Sequence, residues 1–141
     1  MTELIVQTTA GGPPAFRGPS ADLVYFLSFA AAERYGSQHE LSQAVTLLRH
    51  QHKVPLGPLL RFTDIRAESD ADRQEQERLW QDPAALADAV ERLIQAFQAS
   101  RKVQELCSGF PEILPRLEDL RDQARWAAER GARIRLLYTL D

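Results

Sequence analysis

The spacing of apolar and polar positions indicates a strand at each end of the chain. Residues 4–8 are short, apolar and partly β-branched, which favours a strand. The tail from residue 132 to 141 alternates, so that one face carries Ile134, Leu136, Tyr138 and Leu140. Because a lone strand leaves its backbone groups without partners, we expect these two strands to pair with each other or across a dimer interface.

The region between the strands has the periodicity of helices. Apolar residues recur at intervals of three and four, and glycine or proline marks the ends. The predicted helices cover residues 21–35, 39–52, 69–82 and 83–108, with a last helix from Pro111 or Pro115 to Gly131. A helical turn is expected at Pro58. The pattern therefore predicts a mainly α, single-domain helical bundle of four or five helices with two short terminal β-strands.

The domain divides into three parts along the chain. Residues 1–19 hold the first strand and a Gly/Pro-rich arm, which must be a loop or an extended segment because neither a helix nor a central strand tolerates this composition. Residues 20–131 form the helical part, with Ser20 as a predicted N-cap, and residues 132–141 form the last strand. The helix 83–108 is predicted to be a rod of roughly 40 Å.

The first helix has almost no polar face between Leu23 and Ala32. A helix that is apolar all round is buried on several sides or lies in an interface, so this segment is expected at the centre of the core. The aromatic residues on this helix and the long one suggest a further alternative, a pocket for an apolar small ligand. Its candidate lining residues are Tyr25, Phe26, Phe29 and Phe97.

The composition argues against several classes of function. The net charge is −3, which makes a nucleic-acid partner unlikely. The single cysteine, Cys107, permits no intramolecular disulfide and fits a reducing compartment. The N-terminus lacks the pattern of a secretory signal, and no apolar stretch is long enough to span a bilayer. We therefore expect a cytoplasmic protein that does not interact with membranes.

The histidines His50 and His52 raise the question of a metal site. On a helix, residues two positions apart point about 200° away from each other. Binding of one metal ion from a helix needs a spacing of four, and two histidines are too few ligands. We predict no metal site and no cofactor.

The segment Arg34 to His39, RYGSQH, has an arginine and a histidine separated by four residues. It resembles the catalytic motif of HEPN-type ribonucleases, which are small, helical and usually dimeric. The resemblance covers six residues of 141. It implies that Arg34 would bind phosphate and that His39 would be a general base or a phosphate contact. A small helical ribonuclease-like enzyme is therefore an alternative function.

The last helix and strand carry a modest basic edge. We predict that its arginines and the apolar face of the strand bind a partner, through Arg130, Arg133, Arg135, Leu136 and Tyr138. The all-apolar helix, the long helix and the terminal strand all favour a partner surface, and a homodimer is expected. The leading hypothesis is a non-catalytic accessory, adaptor or assembly protein that acts through protein–protein contacts.

Overall fold

The computed structural model describes residues 1–32 and 38–140, and within them the chain is mainly helical with short strands, as predicted. The helices are α1 (Ala21–Ala31), α2 (Glu40–Thr46), α3 (Asp70–Glu77), α4 (Pro83–Ala99), α5 (Arg101–Leu106) and α6 (Ile113–Glu129). The strands are β1 (Glu3–Thr8), β2 (Phe62–Asp64) and β3 (Ile134–Thr139). A π-helical turn (Leu47–Gln51) continues α2, and a 3-10 turn (Gly57–Leu60) precedes β2. No helix in the described ranges has the length and apolarity needed to cross a membrane.

The strands form one sheet in the order β1-β3-β2. β1 and β3 pair antiparallel, from Glu3 opposite Thr139 to Thr8 opposite Ile134. β2 pairs parallel to β3, with Phe62 opposite Leu136. The expectation of two strands was wrong in number, because β2 lies between the predicted helices 39–52 and 69–82, where no strand was predicted. Three residues are too few to show an alternating pattern, and β2 forms only because β3 lies beside it.

The C-terminal strand has partners on both of its edges. β1 covers one edge and β2 covers part of the other, and the backbone groups of Gln81 exchange hydrogen bonds of 2.9 and 3.1 Å with those of Ile134 beyond β2. The terminal strands therefore pair within one chain. Within the described residues, both edges of β3 therefore have partners. The expectation that β3 joins two chains in a dimer depended on an open edge of this strand.

The core lies between the helices and one face of the sheet. Leu23, Phe26 and Leu27 of α1 are fully buried, and they share this core with Leu4 of β1 and Leu136 of β3. α4 packs along α6, and α1 contacts α2, α6 and β1. The hydrophobic effect of burying such side chains, roughly 1.5–3 kcal/mol for each, stabilises this arrangement.

The predicted long helix is interrupted, so the single rod of residues 83–108 was wrong. Ser100 has an extended backbone with φ −112° and ψ 106°, and it is at once the end of α4 and the N-cap of α5. Its hydroxyl accepts a hydrogen bond from the backbone N–H of Val103 at 3.2 Å. The serine hydroxyl satisfies a donor that a continuous helix would pair with a backbone carbonyl. The first helix ends at Ala31, and the predicted terminus at Tyr35 and Gly36 lies outside the described residues.

Candidate functional site

The Gly/Pro-rich arm, residues 11–20, lies along α6. The backbone N–H of Arg17 donates to Asp119 Oδ2 at 2.9 Å, and the Nε of Arg17 donates to Asp119 Oδ1 at 2.5 Å. Nearer the start of the arm, Gln123 Nε2 donates to the carbonyl of Pro14 at 2.8 Å. These contacts fix an otherwise extended segment to the helix. The arm returns to β1 at Ser20, whose hydroxyl accepts from the N–H of Leu4 at 2.9 Å instead of capping α1.

A polar stripe on α6 is buried beneath this arm. It consists of Arg116, Asp119 and Gln123, which are spaced three and four residues apart and therefore share one face of the helix. The side chains of Arg116 and Asp119 are 7% and 3% exposed, and their Nε and Oδ2 atoms are 3.0 Å apart. Gly18 lies directly over the guanidinium, since a Cβ at this position would be 1.7 Å from Arg116 Nη1. A glycine is needed there unless Arg116 moves.

The arm, β1 and α1 line the N-terminal cavity, which is open to solvent and has a volume of about 690 Å³. Its walls include Leu4 and Val6 of β1, Phe16 of the arm, Tyr25 of α1 and Gln123 of α6. Prolines at positions 13, 14 and 19 also line it. Most of this surface is therefore apolar, and the volume lies within the range of roughly 300–1,000 Å³ that is usual for small-molecule sites.

Two polar features of the cavity have no partner among the described residues. The amide oxygen of Gln123 is buried without a hydrogen bond, and its orientation is fixed because Nε2 must face the Pro14 carbonyl. Val6 supplies the second feature. The N–H of Leu4 bonds to Ser20 and the carbonyl of Thr8 to Gly11, on the edge of β1 that faces away from β3. Because backbone direction alternates along an antiparallel ladder, the N–H and C=O of Val6 face the same edge.

The four aromatic residues predicted to line a pocket have different surroundings. Tyr25 lines the N-terminal cavity and is 41% exposed. Phe26 and Phe97 belong to the core cluster. Phe29 stacks on His39, with ring centroids 4.1 Å apart. The helical spacing of these residues therefore did not indicate which of them face the cavity.

The two residues that resemble the ribonuclease motif cannot be compared as a pair, because Arg34 lies outside the described residues. His39 is the N-cap of α2, and its Nδ1 accepts a hydrogen bond from the N–H of Leu41 at 3.1 Å. Its ring also lies 6.2 Å from that of Phe110. These contacts give the position of His39 a structural explanation. The catalytic role of His39 together with Arg34 stays a prediction.

The arginines predicted to bind a partner have different surroundings. Arg130 stacks on the Trp126 ring at 4.0 Å, and its side chain is 44% exposed. Arg133 is exposed. Arg135 instead lies over the Trp80 ring at 4.3 Å and donates to Gln7 Oε1 at 2.8 Å. Only Arg130 and Arg133 are therefore well placed for contact with another protein.

The two apolar candidates of this surface lie on the core side of β3. Leu136 is fully buried. Tyr138 is half-buried, with its ring edge against Phe62 at a centroid distance of 5.6 Å. The alternation of apolar and polar residues correctly predicted that β3 has an apolar face. This face packs against the helices of the same chain.

Two arginines of α6 pair with a carboxylate of α4. Arg121 Nη1 lies 3.1 Å from Glu91 Oε2. Arg125 Nη2 lies 3.9 Å from the same oxygen of Glu91. These ion pairs join α6 to α4 because the two helices pack side by side. Spacing within one helix could not reveal a partner on another.

The titratable groups of the described residues do not form a metal cluster, and Cys107 is not activated as a nucleophile. No group of three or more histidine, cysteine or acidic side chains there is arranged to hold a metal ion. Burial raises the pKa of the Cys107 thiol to about 12, so this thiol is protonated at neutral pH. A protonated thiol is a poor nucleophile, and Cys107 is a small core residue.

Comparison with known proteins gave no match to a family model, to a curated protein or to a solved structure. The N-terminal cavity is the site that the geometry of this chain supports best.

Proposed function

We propose that this protein is a non-catalytic accessory protein that binds a small, mainly apolar ligand in the N-terminal cavity. The observation that carries the proposal is a cavity of about 690 Å³ that has a mainly apolar wall and is lined by Val6, whose backbone N–H and C=O lie on the free edge of β1. This combination is typical of ligand sites, in which apolar surface supplies affinity and polar groups fix orientation. Under this proposal, the apolar ligand that the sequence suggested as an alternative binds beside β1 and the arm, and not among the aromatic residues of the core.

The polar groups of the cavity favour binding over catalysis. The buried polar side chains are those of Ser20 and Gln123, whereas the carboxylate of Glu3 is exposed. Ser20 already accepts a hydrogen bond from Leu4, and an amide neither gains nor loses a charge near neutral pH. Such groups can orient a ligand, whereas general acid–base catalysis needs a group whose pKa lies near the working pH.

Filling the cavity is expected to abolish ligand binding. Ala21 lines the cavity at the start of α1, and Ala21→Trp would occupy part of its volume. The neutral fluorophore N-phenyl-1-naphthylamine should bind the intact chain saturably with increased emission. The Ala21→Trp variant should lose this binding, and fluorescence titration measures both.

The matched control is Ala31→Trp, which places the same side chain at the exposed other end of α1. This variant should bind the fluorophore as the intact chain does. Equal binding by all three proteins, or no saturable binding by the intact chain, would refute the proposed function.

The second candidate is the adaptor or assembly role expected from the sequence, with a homodimer as its simplest form. Trp126 and Arg130 favour it, because they stack on the surface at the end of α6 and because tryptophan and arginine are enriched at energetically important interface positions. Glu129, 75% exposed beside Arg130, allows a two-fold contact in which each glutamate meets the arginine of a second copy.

Sedimentation velocity at micromolar concentration tests this candidate. The intact chain should sediment as a dimer, and Trp126→Asp should yield a monomer because a carboxylate removes the stacked aromatic surface. Gln98→Asp introduces the same carboxylate at an exposed position of α4, and this variant should stay dimeric. A monomeric intact chain would exclude the homodimer and leave the ligand-binding proposal unaffected.

A further inference from the structure

The arm supplies a wall of the N-terminal cavity but little of the core. Residues 12–16 and 18–20 line the cavity and lie outside every helix and strand. Phe16 is the apolar side chain of the arm that packs against the core cluster, and the arm begins at two glycines, of which Gly11 has a φ of +95°. A segment with so little apolar burial can separate from α6 while the helices and the sheet stay folded.

The contacts that hold the middle of the arm converge on two side chains of α6. Asp119 accepts from the backbone N–H and from the Nε of Arg17, and Gln123 donates to the carbonyl of Pro14. The Arg17 side chain is 69% exposed, so water and salt compete for its ion pair with Asp119. The arm is therefore fastened by an interaction that can break and form again reversibly.

The closed arm also covers a guanidinium that would be hydrated if the arm lifted. Arg116 lies beneath Gly18, and its Nε is 3.0 Å from Asp119 Oδ2. Nevertheless, Nε and Nη1 of Arg116 are buried and make no hydrogen bond within the described residues. Because buried donors without partners cost free energy, hydration of Arg116 would offset part of what the arm gains from the contacts of Arg17.

Resting on the proposed function, we propose that the arm is a strap that opens and closes over the N-terminal cavity and controls how long a ligand stays there. Arg17 is the positioning residue of the closed state. It lies between Phe16 and Gly18, which line the cavity, but it does not line the cavity itself. A ligand against the arm stabilises the closed state, and by reciprocity closure slows the departure of the ligand.

Arg17→Gln tests the strap through the kinetics of ligand release. The variant keeps every lining side chain and the backbone N–H at position 17, and it loses the ion pair. N-phenyl-1-naphthylamine is uncharged, so the lost charge does not act on it directly. Dilution of the preformed complex of the full chain, followed by stopped-flow fluorescence, should give a dissociation rate about fivefold higher for the variant, the upper end for one exposed ion pair.

Arg66→Gln is the matched control. Arg66 Nη2 lies 2.8 Å from Asp64 Oδ2, the Arg66 side chain is 72% exposed, and neither residue lines the N-terminal cavity. This variant should release the fluorophore as the intact chain does. Added salt should speed release from the intact chain and from Arg66→Gln, because it screens the Arg17 ion pair, and it should have little effect on Arg17→Gln. Equal rates for the two variants would overturn the strap.

Amide hydrogen exchange at Arg17 tests the coupling in the intact chain, without any substitution. The Arg17 N–H is protected by Asp119 only while the arm is closed. Saturation with the fluorophore should slow its exchange, although Arg17 does not line the cavity. Exchange that the fluorophore leaves unchanged would show that the ligand and the closed arm are not coupled.

The outcomes separate the strap from the proposed function. Fluorophore binding that Ala21→Trp abolishes, combined with a dissociation rate that Arg17→Gln does not raise, would overturn the strap and leave the ligand cavity. No saturable binding by the intact chain would remove both.

Discussion

Replacing Asp119 with alanine is expected to lower the free energy of unfolding by about 3–5 kcal/mol, because it leaves the buried guanidinium of Arg116 without its nearest countercharge. The same change removes the acceptor of the Arg17 backbone N–H and side chain. The arm loses two of the contacts that hold it on α6, and the N-terminal cavity should bind the fluorophore more weakly. Urea denaturation and fluorescence titration measure the two effects.

Asp122→Ala is the matched control for this experiment. Asp122 lies three residues further along the same helix, and its side chain is 51% exposed. Its removal should change the free energy of unfolding by no more than about 0.5 kcal/mol, as is usual for surface substitutions. A cost for Asp119→Ala no larger than that of Asp122→Ala would show that the buried network does not stabilise the fold.

Phe26→Ala is expected to cost about 3–5 kcal/mol of stability, the usual range for truncating a fully buried phenylalanine. Phe26 has no contact with water, and the surrounding helices and sheet can close only part of the space it leaves. Thermal or urea denaturation measures the loss. A cost below about 1 kcal/mol would contradict the central position of α1 in the core.

Comparison of Tyr25→Ala with Phe26→Ala separates a role in the core from a role in the cavity, because the two residues are adjacent in the chain. Tyr25 is 41% exposed and lines the N-terminal cavity, so its truncation should cost far less stability than that of Phe26. It should nevertheless weaken fluorophore binding, because it removes an aromatic wall. Loss of stability without loss of binding would assign Tyr25 to the core.

The sequence alone determined the elements whose apolar pattern continues over many consecutive residues of one segment. The apolar run of α1, the apolar spacing of α4 and α6 and the alternation of β3 extend over two or more turns or pleats. One segment therefore contains enough information to assign the type of each element, but it did not reveal that α4 ends at Ala99. The glycines and prolines of the arm excluded a helix there for an equally local reason, the missing backbone donor and the restricted φ of proline.

Tertiary structure decided the rest, because the partners lie far apart in the chain. β2 has three residues and exists through its pairing with β3, Phe62 opposite Leu136. The sequence pattern suggests that Asp119 lies on a solvated face of α6. In the fold, Arg17, which lies 102 positions away, binds its carboxylate. The cavity is formed in the same way, since β1, the arm, Tyr25 and Gln123 meet only when the chain folds. Periodicity reports which side of an element is buried, whereas a cavity depends on which elements fail to fill the space between them.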